Sequence, residues 1–471
     1  MLATVGLSIL LFGSSPALSR STDPVNKGLV AFGYIPANAR DSTGDTLGGI
    51  GSAIALKAGS FAKAKNGTFK GTLVVQPDRG YNVDETVDYQ GRQHYVNFVL
   101  KPYYGSAPLS FADAAKTLQL LYKKTILYKE RKGKATTGLD PVSVRPASGG
   151  DPILPIPNVK TKNQVSLDCE GLVLNRDGSF WVSDEYGPYI YHFSEKGSLV
   201  DVIQPPPAAI PRIGGAVNFT SEVDPDSGRA PNQGFEGLTV SPDGHKLYAM
   251  LQSSTMQDGG TDDTTSRHTR LFVYDVKRVP KLIGEYVVPL PQTAKKQKTL
   301  AQSDIHYLDG HKFLVLSRDG HGNGDDESQS DYKSVDIFDI SGATDIHGTQ
   351  YDNSTAVSPG GVLAANVVPA TYTPFVSLID SSQLGRMGLH NGGDFDQQLI
   401  AGKWEGTALA SCQDPKYPDD YFLFVGADND FNTLDGTMVG QPYSTSYGKD
   451  VDNQFLVYRV TLPMVPRGSI H

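Results

Sequence analysis

Five segments of the chain repeat one order of short strands and tight turns. Two clear copies are "DCEGLVLNRDGSFWVSDEYGPYIYHF", which starts at Asp168, and "FEGLTVSPDGHKLYAMLQ", which starts at Phe235. Each copy joins runs rich in β-branched and aromatic residues through Asp-Gly or similar turns, which is the pattern of antiparallel hairpins. Such units repeated along a chain are typical of a β-propeller. The repeat therefore predicts an all-β fold.

The number of clear repeat units indicates the number of blades. Units begin near Gly48, Asp168, Phe235, Ser303 and Trp404. The pattern is weaker at 101–165 and 342–400, and either stretch has room for a sixth blade. The sequence thus predicts a β-propeller of five to six blades with insertions at 101–165 and 342–400, all in one domain over residues 28–465.

Two segments outside the clear units also predict structure. "GLVAFGYIP", which starts at Gly28, reads as a spare strand that completes the last blade and closes the ring. "SFADAAKTLQLLYKK", residues 110–124, has the apolar spacing of a helix. The chain is otherwise poor in helix signals.

The N-terminus and the charge point to a secreted protein. Residues 2–12 form an apolar run too short to span a bilayer, and the small residues Ala17 and Ser19 follow it, so residues 1–19 are predicted to be a signal peptide. We expect an extracellular monomer with no membrane span. A formal charge of −9 without Lys/Arg blocks argues against nucleic acid as a partner. Glycosylation sequons occur at Asn66, Asn218 and Asn353.

The chain has two cysteines, Cys169 and Cys412. Each lies close to an acid-glycine pair, Glu170-Gly171 or Glu405-Gly406, so the two thiols could be near each other in space. In an oxidising compartment they could pair, and a disulfide is the predicted state, with two buried free thiols as the alternative.

Charged residues recur at equivalent places in the units. Acids open the innermost strand of four units, and Gly51 takes that place in the first; the acids are Glu170, Glu236, Asp304 and Glu405. The second strands end in a further polar set, namely Asp78, Arg79, Asp184, Glu185, Gln252, Arg318, Asp319, Asp428 and Asp430. In a propeller both sets lie at the same mouth of the central channel, so we expect an acidic mouth.

Converging carboxylates need compensation. Two of them about 5 Å apart repel by roughly 3 kcal/mol at an effective dielectric of 20. A cation, arginine partners or raised pKa values would each relieve this. Calcium is favoured because it takes several oxygen ligands in irregular geometry, whereas zinc would find only one histidine, His306. The predicted metal ligands are Glu170, Asp184, Glu236, Glu405 and Asp428. In the alternative interpretation, these acids bind backbone N–H groups and fix one blade to the next.

The remaining polar residues divide into candidate and structural groups. Glu185 and His306 are the acid/base candidates, and Arg79 and Arg318 either pair with acids or bind an anionic group of the substrate. Asp78, Tyr186 and Asp319 are predicted to line the substrate site. The Asp-Gly turns at Asp177, Asp243 and Asp309 are explained by backbone geometry alone. The sequence has no Gly-x-Ser-x-Gly elbow, HExxH or P-loop, so an enzyme of this kind would use metal-bound water or a carboxylate or histidine base.

Several ordered motifs resemble the phytase-like family described as having esterase-like activity. They are "PDRGYN", "LDCEGLVLNRDGSFWVSDEYGPYIYHFSEKGSLV", "NQGFEGLTVSPDGHKLYAMLQ", "FLVLSRDG" and "KWEGTALA" followed by "ADND". The resemblance covers residues 48–460 and implies a secreted or periplasmic propeller that hydrolyses phosphate or other esters. It places the family's motif acids and arginines at Asp78, Arg79, Glu170, Asp184, Glu185, Glu236, Arg318, Asp319, Glu405 and Asp428. The last motif reads "EGT" instead of "EGL", which retains its acid.

Three functions stay open at this point. The first is a secreted hydrolase with a divalent cation, calcium for preference, acting on a small-molecule or glycan substrate that carries an anionic group. The second is a non-catalytic propeller that binds a glycan or a protein. The third is a carbohydrate-active enzyme that uses two of the carboxylates as acid and base.

Overall fold

Five antiparallel sheets, each with four main strands, surround a central channel in the computed structural model, which describes residues 23–82 and 85–469. The fold is a five-bladed β-propeller, as the repeat predicts. The innermost strand of each blade contacts the innermost strands of both neighbouring blades, so the blades form a closed ring. The predicted signal peptide, residues 1–19, lies outside the described residues.

The four strands of each blade follow one another from the channel outward. Blade 1 contains Ala53–Leu56, Phe69–Gln76, Arg92–Leu100 and Leu118–Leu127, with Ala62–Lys63 added beside Phe69–Gln76. Blade 2 contains Cys169–Leu174, Phe180–Asp184, Ile190–Phe193 and Leu199–Ile203. Blade 3 contains Phe235–Val240, Lys246–Leu251, His268–Asp275 and Lys281–Pro289. Blade 4 contains Gln302–Tyr307, Lys312–Arg318, Lys333–Asp339 and Thr371–Ser377. Blade 5 contains Lys403–Ser411, Asp420–Asp428, Asn453–Thr461 and Val25–Ile35.

The ring is closed by pairing the two ends of the chain. Val25–Ile35 runs antiparallel to Asn453–Thr461 as the outermost strand of blade 5, which confirms the predicted use of "GLVAFGYIP". Both weak stretches of the repeat also supply outer strands: Leu118–Leu127 pairs with Arg92–Leu100, and Thr371–Ser377 pairs with Lys333–Asp339. Neither stretch therefore contains a sixth blade.

The predicted helix over 110–124 is mostly wrong. Only Phe111–Ala114 is helical, capped by the Ser110 side chain, and the following residues form the outer strand Leu118–Leu127. Pairing with the exposed edge of Arg92–Leu100 outweighs local helix propensity in this segment. The remaining short elements are a helix at Ser381–Arg386, 3-10 turns at Met256–Asp258, Gln350–Asp352 and Pro359–Gly361, and the ribbons Ser143–Arg145/Leu154–Ile156, Arg212–Ile213/Ala216–Val217 and Gly436–Met438/Gln441–Tyr443. Within the described residues, no helix has the length and apolarity to cross a membrane.

Apolar side chains from facing blades form the core. Trp404 is fully buried between blades 4 and 5, and its indole N–H donates to the Ala401 carbonyl at 2.9 Å. The Asp-Gly turns are structural, as expected: Asp177 accepts from the Ser179 N–H at 3.0 Å, and Gly178 has φ of 89°.

The two cysteines do not pair, so the predicted disulfide is wrong. Both thiols are free and buried. Cys169 begins the inner strand of blade 2, whereas Cys412 comes directly after the end of the inner strand of blade 5. They lie in separate hydrophobic clusters of the core. The sequence suggested proximity because both lie near an acid-glycine pair, but they stand on opposite ends of their strands.

Hydrogen bonds join each blade to the next just below the mouth. They run from Gln76 Nε2 to the Glu170 carbonyl (2.9 Å), from Ser183 Oγ to the Glu236 carbonyl (2.8 Å), from Gln302 Nε2 to the Leu251 carbonyl (3.1 Å), from the Thr407 N–H to Asp304 Oδ2 (2.8 Å) and from the Gly49 N–H to Asn429 Oδ1 (2.9 Å). Of the four acids that open inner strands in the sequence, Asp304 alone supplies its carboxylate to this ring.

Replacing Thr407 with valine should weaken the junction of blades 4 and 5. The Thr407 hydroxyl donates to Asp304 at 2.5 Å, and burial raises the pKa of Asp304 to about 7. Losing that donor leaves a buried carboxylate less satisfied, so unfolding in urea should show a loss of about 1–3 kcal/mol. The loss should be larger at pH 8 than at pH 5, because the ionised carboxylate needs the donor more.

Thr72→Val is the matched control, because the Thr72 hydroxyl donates to Asn97 at the exposed surface. It should cost less than about 0.5 kcal/mol. An equal, pH-independent cost for both variants would contradict the role of Asp304.

Candidate metal centre at the acidic mouth

A β-bulge at the start of the inner strand positions each mouth glutamate. The strand register shifts between Phe235 and Gly237 in blade 3 and between Trp404 and Gly406 in blade 5, so Glu236 and Glu405 are extra residues in the ladder. Blade 2 has a shift at the same place, which includes Glu170. Bulges re-aim side chains, and in this ring they direct three glutamates to one region.

The glycine after each glutamate allows the inner strands to approach closely. A Cβ on Gly406 would lie 2.8 Å from the Ile54 nitrogen of blade 1, and one on Gly171 would lie 2.7 Å from the Glu236 carbonyl oxygen of blade 3. Both distances are too short for a real side chain. The acid-glycine pair therefore combines a carboxylate with the close contact of neighbouring blades.

Asp304 does not belong with the three glutamates, contrary to the alignment of the repeats. In blade 4 the bulge falls between Gln302 and Asp304, so Ser303 occupies the glutamate position. Asp304 stands one residue further along the strand, where its carboxylate accepts from Thr407.

Three carboxylates form what we call the central group: Asp168, Glu170 and Glu185. Their ligand oxygens lie within 4.8 Å of one another, and all three side chains are buried. Oε1 of Glu185 and Oε2 of the adjacent Glu236 are buried without a hydrogen-bond partner among the described residues. Arg79 reaches this group from one side, with Nη1 3.2 Å from Asp168 Oδ2. The group therefore holds more negative charge than its neighbours compensate.

A second set, the flanking group, contains Asp78, Asp428 and Asp430, whose ligand oxygens also lie within 4.8 Å of one another. Lys403 occupies this group, with Nζ 2.9 Å from Asp428 and 2.8 Å from Asp430. The same ammonium lies 3.5 Å from Glu405, which also forms an ion pair with Arg318.

The pKa of each mouth acid depends on its burial and on the charges next to it. Burial and then the charges of Glu236, Glu185 and other acids raise the pKa of Glu170 well above its usual value. Burial and Glu236 do the same for the pKa of Glu185. Glu405 behaves differently: burial opposes ionisation, but Lys403 and Arg318 hold its pKa below the usual value. In the flanking group, burial raises the pKa of Asp428 to about 7 despite Lys403, and burial and Asp428 raise the pKa of Asp78 well above its usual value.

Several predicted site residues serve the structure around the mouth. Asp184 is fully buried and accepts from the N–H groups of Asp168 (2.6 Å) and Gly187 (3.1 Å), which orders the strand ends. Tyr186 is also fully buried and donates its hydroxyl to the Gly138 carbonyl at 2.7 Å. These contacts place Asp184 behind the central group and Tyr186 beneath the mouth.

Asp319 is likewise engaged by its own loop. Its carboxylate accepts from the N–H groups of Asp331 (2.7 Å) and Tyr332 (3.0 Å), and it forms an ion pair with Lys333 at 3.1 Å. Lys333 and the hydrogen bonds from the loop hold the pKa of Asp319 below its usual value, although burial acts in the opposite direction. Asp319 therefore orders the segment 319–333 beside the mouth.

His306 lies away from the carboxylates of the central and flanking groups. It lines a cavity of about 460 Å³, together with Asp304, Trp181 and the turns at Asp177 and Asp243. These turns follow the C-terminal ends of the inner strands, so this cavity opens at the end of the channel opposite to the acidic mouth. A smaller cavity of about 210 Å³ adjoins the acids, lined among others by Arg318, Lys403, Asp428 and Asp430. The smaller cavity is lined by members of the flanking group, and Asp168, Glu170 and Glu185 are not among its lining residues.

The central group fits a divalent cation. Calcium binds carboxylate oxygens at 2.3–2.6 Å, and oxygens within 4.8 Å of one another can share one ion at such distances. Two buried oxygens lack partners at this place, on Glu185 and Glu236, among the residues that the structure describes. Three oxygen donors suit calcium or magnesium better than zinc, since the group is made of carboxylates.

Glu170 and Glu185 are predicted from the sequence, whereas Asp168 of the central group and Lys403 beside the flanking group are not. Both precede an inner-strand glutamate by two positions, in "DCEG" and "KWEG". Asp168 already begins its unit, and a last unit that begins one residue earlier than Trp404 places Lys403 at the position equivalent to Asp168.

Comparison with known proteins identifies the relatives of this chain. Residues 66–431 match the profile of the phytase-like family, described as "Esterase-like activity of phytase". An uncharacterized secreted protein of Arthroderma benhamiae is 38% identical, with 87% of this chain and 88% of that protein covered.

Solved propeller-type structures match more weakly. A periplasmic gluconolactonase of Pseudomonas aeruginosa matches with a TM-score of 0.28 and 15% identity, covering 92% of this chain and 99% of that one. A virginiamycin B lyase of Staphylococcus aureus matches with a TM-score of 0.28 and 9% identity, over 92% and 99%. Likeness at this level carries no functional argument.

Proposed function

Since the chain belongs to the phytase-like family described as having esterase-like activity, we propose that it is a secreted hydrolase of phosphate or other esters. It binds a divalent cation, calcium for preference, at the central group of the acidic mouth. The observation that carries this proposal is the set Asp168, Glu170 and Glu185, three buried carboxylates within 4.8 Å.

The alternative, that the acids only fix blades together, does not account for the central group. The inter-blade bonds at Glu170 and Glu236 go to their backbone carbonyls, and the Glu236 side chain accepts from Gln252 of its own blade. Asp168 does contact blade 1 through Arg79. The ionised side chains of Glu170 and Glu185 make no blade junction, and burying them costs stability without structural return. A bound cation would compensate the charge of these buried carboxylates and so account for their burial.

The ligand set differs from the one predicted from sequence. Glu405 and Asp428 are already paired with Lys403, and Asp184 is held by backbone N–H groups. We therefore assign the cation to Asp168, Glu170 and Glu185, with Glu236 adjacent. A bound divalent cation would polarise an ester oxygen or activate a water molecule.

Cationic side chains beside the acids suit an anionic substrate. Arg318 has its Nε buried without a partner among the described residues, and it lines the 210 Å³ cavity together with Lys403. Arg79 is partly exposed on the other side of the central group, with Nη1 3.1 Å from Ser221. Guanidinium donors of this kind bind phosphoryl or carboxylate oxygens. We propose small phosphate esters as the first substrates to test.

The test of this proposal is a substrate comparison on chelator-treated protein with and without added Ca²⁺. The probes are 4-nitrophenyl phosphate, 4-nitrophenyl acetate and glucono-δ-lactone. We expect turnover of at least one ester that disappears after chelation and returns with calcium. A folded, calcium-loaded protein that hydrolyses none of them would contradict the hydrolase and leave the binding propeller.

Stability without metal should fall as the pH rises. Burial raises the pKa of Asp428 to about 7 and that of Glu170 and Glu185 well above normal. Unfolded carboxyls titrate near 4, so from about pH 4 upward the folded chain binds more protons, and stability is lost as the pH rises toward and beyond 7. Calcium at the central group replaces the protons on Glu170 and Glu185 and should therefore reduce the slope.

Thermal melts at pH 5 and pH 8, with chelator or with calcium, check this expectation. The calcium-induced rise in melting temperature should be larger at pH 8. A rise that is absent at pH 8 would show that the mouth does not bind the ion.

Secretion and glycosylation are also part of the proposal. The related protein of Arthroderma benhamiae is described as secreted, and the predicted signal peptide precedes a single propeller domain over 28–465. Asn66 and Asn353 are exposed and suit glycan attachment, whereas Asn218 is half-buried beside the fully buried Phe219. We therefore propose glycans at the first two sequons.

A further inference from the structure

The two acidic groups of the mouth are built from equivalent strand positions. In blade 2, Cys169 pairs with Asp184, and in blade 5, Trp404 pairs with Ala427. Counting from these pairs, Asp168, Glu170 and Glu185 of blade 2 correspond to Lys403, Glu405 and Asp428 of blade 5. The two constellations differ in sign at one position, where blade 2 has aspartate and blade 5 has lysine.

The ammonium of Lys403 occupies the position in the flanking group that a bound metal ion would take. Its Nζ lies 2.9 Å from Asp428, 2.8 Å from Asp430 and 3.5 Å from Glu405, so one ammonium contacts three carboxylates. Because an ammonium is a compact point charge, it can fill the space between oxygens as an ion does. Arg79 in the central group contacts Asp168 alone of the three carboxylates there, and from the side.

The compensation is also unequal. Glu405 has two cationic partners, Lys403 and Arg318. In the central group, Glu185 retains a buried oxygen without a partner among the described residues. Lys403 thus contacts two carboxylates of the flanking group and Glu405 beside it, whereas Arg79 forms an ion pair with only one of the three carboxylates of the central group.

We propose that Lys403 is a tethered counter-ion that fills the flanking group and so limits the mouth to one divalent cation. This inference rests on the proposed function insofar as that places the ion in the central group. Lys403 is a positioning residue that determines metal number. Its replacement by aspartate would recreate in blade 5 the carboxylate set of blade 2, and with it a second calcium site.

The experiment is equilibrium dialysis of the full chain against radioactive Ca²⁺ at pH 8, after chelation. We expect about one ion per chain for the wild type and for Lys403→Arg, and about two for Lys403→Asp. Lys298→Asp is the matched control, because Lys298 forms an exposed pair with Asp263 at 2.7 Å, and it should leave the number unchanged. Circular dichroism verifies folding, and Lys403→Gln replaces Lys403→Asp if the latter does not fold.

The outcomes distinguish a failure of the proposed central cation site from a failure of the inference on Lys403. If the wild type binds no ion and Lys403→Asp binds one, the proposed central site fails and the inference on Lys403 stands. If wild type and Lys403→Asp both bind one, or both bind none, the inference is overturned. Two ions on the wild type would overturn it as well. If Lys403→Gln is used, the same number as in the wild type overturns it.

Discussion

Replacing Glu170 with glutamine is expected to reduce calcium-dependent ester hydrolysis about a hundredfold or more while the chain stays folded. The carboxylate of Glu170 belongs to the central group, whose oxygens lie within 4.8 Å of one another. Glutamine keeps the shape and removes the charge, so the inter-blade bond to the Glu170 carbonyl is retained. Initial rates on the best ester substrate, with calcium titrated, measure the loss.

The same variant should change stability in opposite directions with and without calcium. Without metal, Glu170 is a buried acid whose pKa is raised by burial and by Glu236 and Glu185, so glutamine relieves repulsion and stabilises the chain at pH 8. With calcium at a hundred times the dissociation constant, the wild type gains about 2.7 kcal/mol, and the variant should lose most of that gain.

Glu195→Gln is the control for this prediction, because Glu195 lies exposed in a turn of blade 2. It should leave both activity and the calcium response unchanged. A Glu170→Gln variant that keeps wild-type activity and the full calcium-induced stabilisation would exclude Glu170 from the site.

Replacing Arg270 with methionine should be the most destabilising single change outside the mouth, by about 3–5 kcal/mol. Its guanidinium lies 2.7 Å from Asp258 and 2.7 Å from Glu285, and all three side chains are fully buried. Asp258 in turn accepts from the Val357 N–H at 2.6 Å, so the cluster fastens the second insertion to blade 3. Methionine leaves two buried carboxyls without their cation.

Urea unfolding at pH 5 and pH 8 measures this cost. Burial raises the pKa of Glu285 to about 7 even beside Arg270, so the cost should be smaller at pH 5, where Glu285 takes up a proton more readily. The control Lys298→Met breaks an exposed ion pair with Asp263 and should cost under about 1 kcal/mol. A cost of that size for Arg270→Met would contradict the role given to the cluster.

The propeller could be predicted from the sequence because each blade repeats one pattern of strands and turns. The turn at Asp177-Gly178 and the closing strand Val25–Ile35 depend on local signals, and both are found as expected. The sequence predicts a helix where segment 118–127 forms a strand, because that strand is stabilised by pairing with the distant strand 92–100. Local propensity does not contain that information.

The mouth could be predicted in outline and not in detail. A one-residue bulge decides whether an acid at the strand start faces the mouth, and it separates Glu236 from Asp304, although both open an inner strand in the alignment. The ion pairs of Lys403 could not be predicted for a similar reason. In the sequence Lys403 is an ordinary strand residue, and only the structure shows that its ammonium lies close to Asp428 and Asp430.

The cysteines show a further limit of sequence proximity. Cys169 and Cys412 both lie near an acid-glycine pair, but one precedes its glycine within an inner strand and the other follows the end of such a strand. Position along a strand of the ring decides which end of the channel a residue occupies.

A crystal of the calcium-loaded protein, with anomalous diffraction recorded at long wavelength, tests the central claim most directly. We expect a calcium peak between the carboxylates of Asp168, Glu170 and Glu185, with oxygen distances of about 2.3–2.6 Å. An anomalous map without a peak at those three residues, from crystals grown at saturating calcium, would contradict the claim that the propeller gathers them to bind a cation.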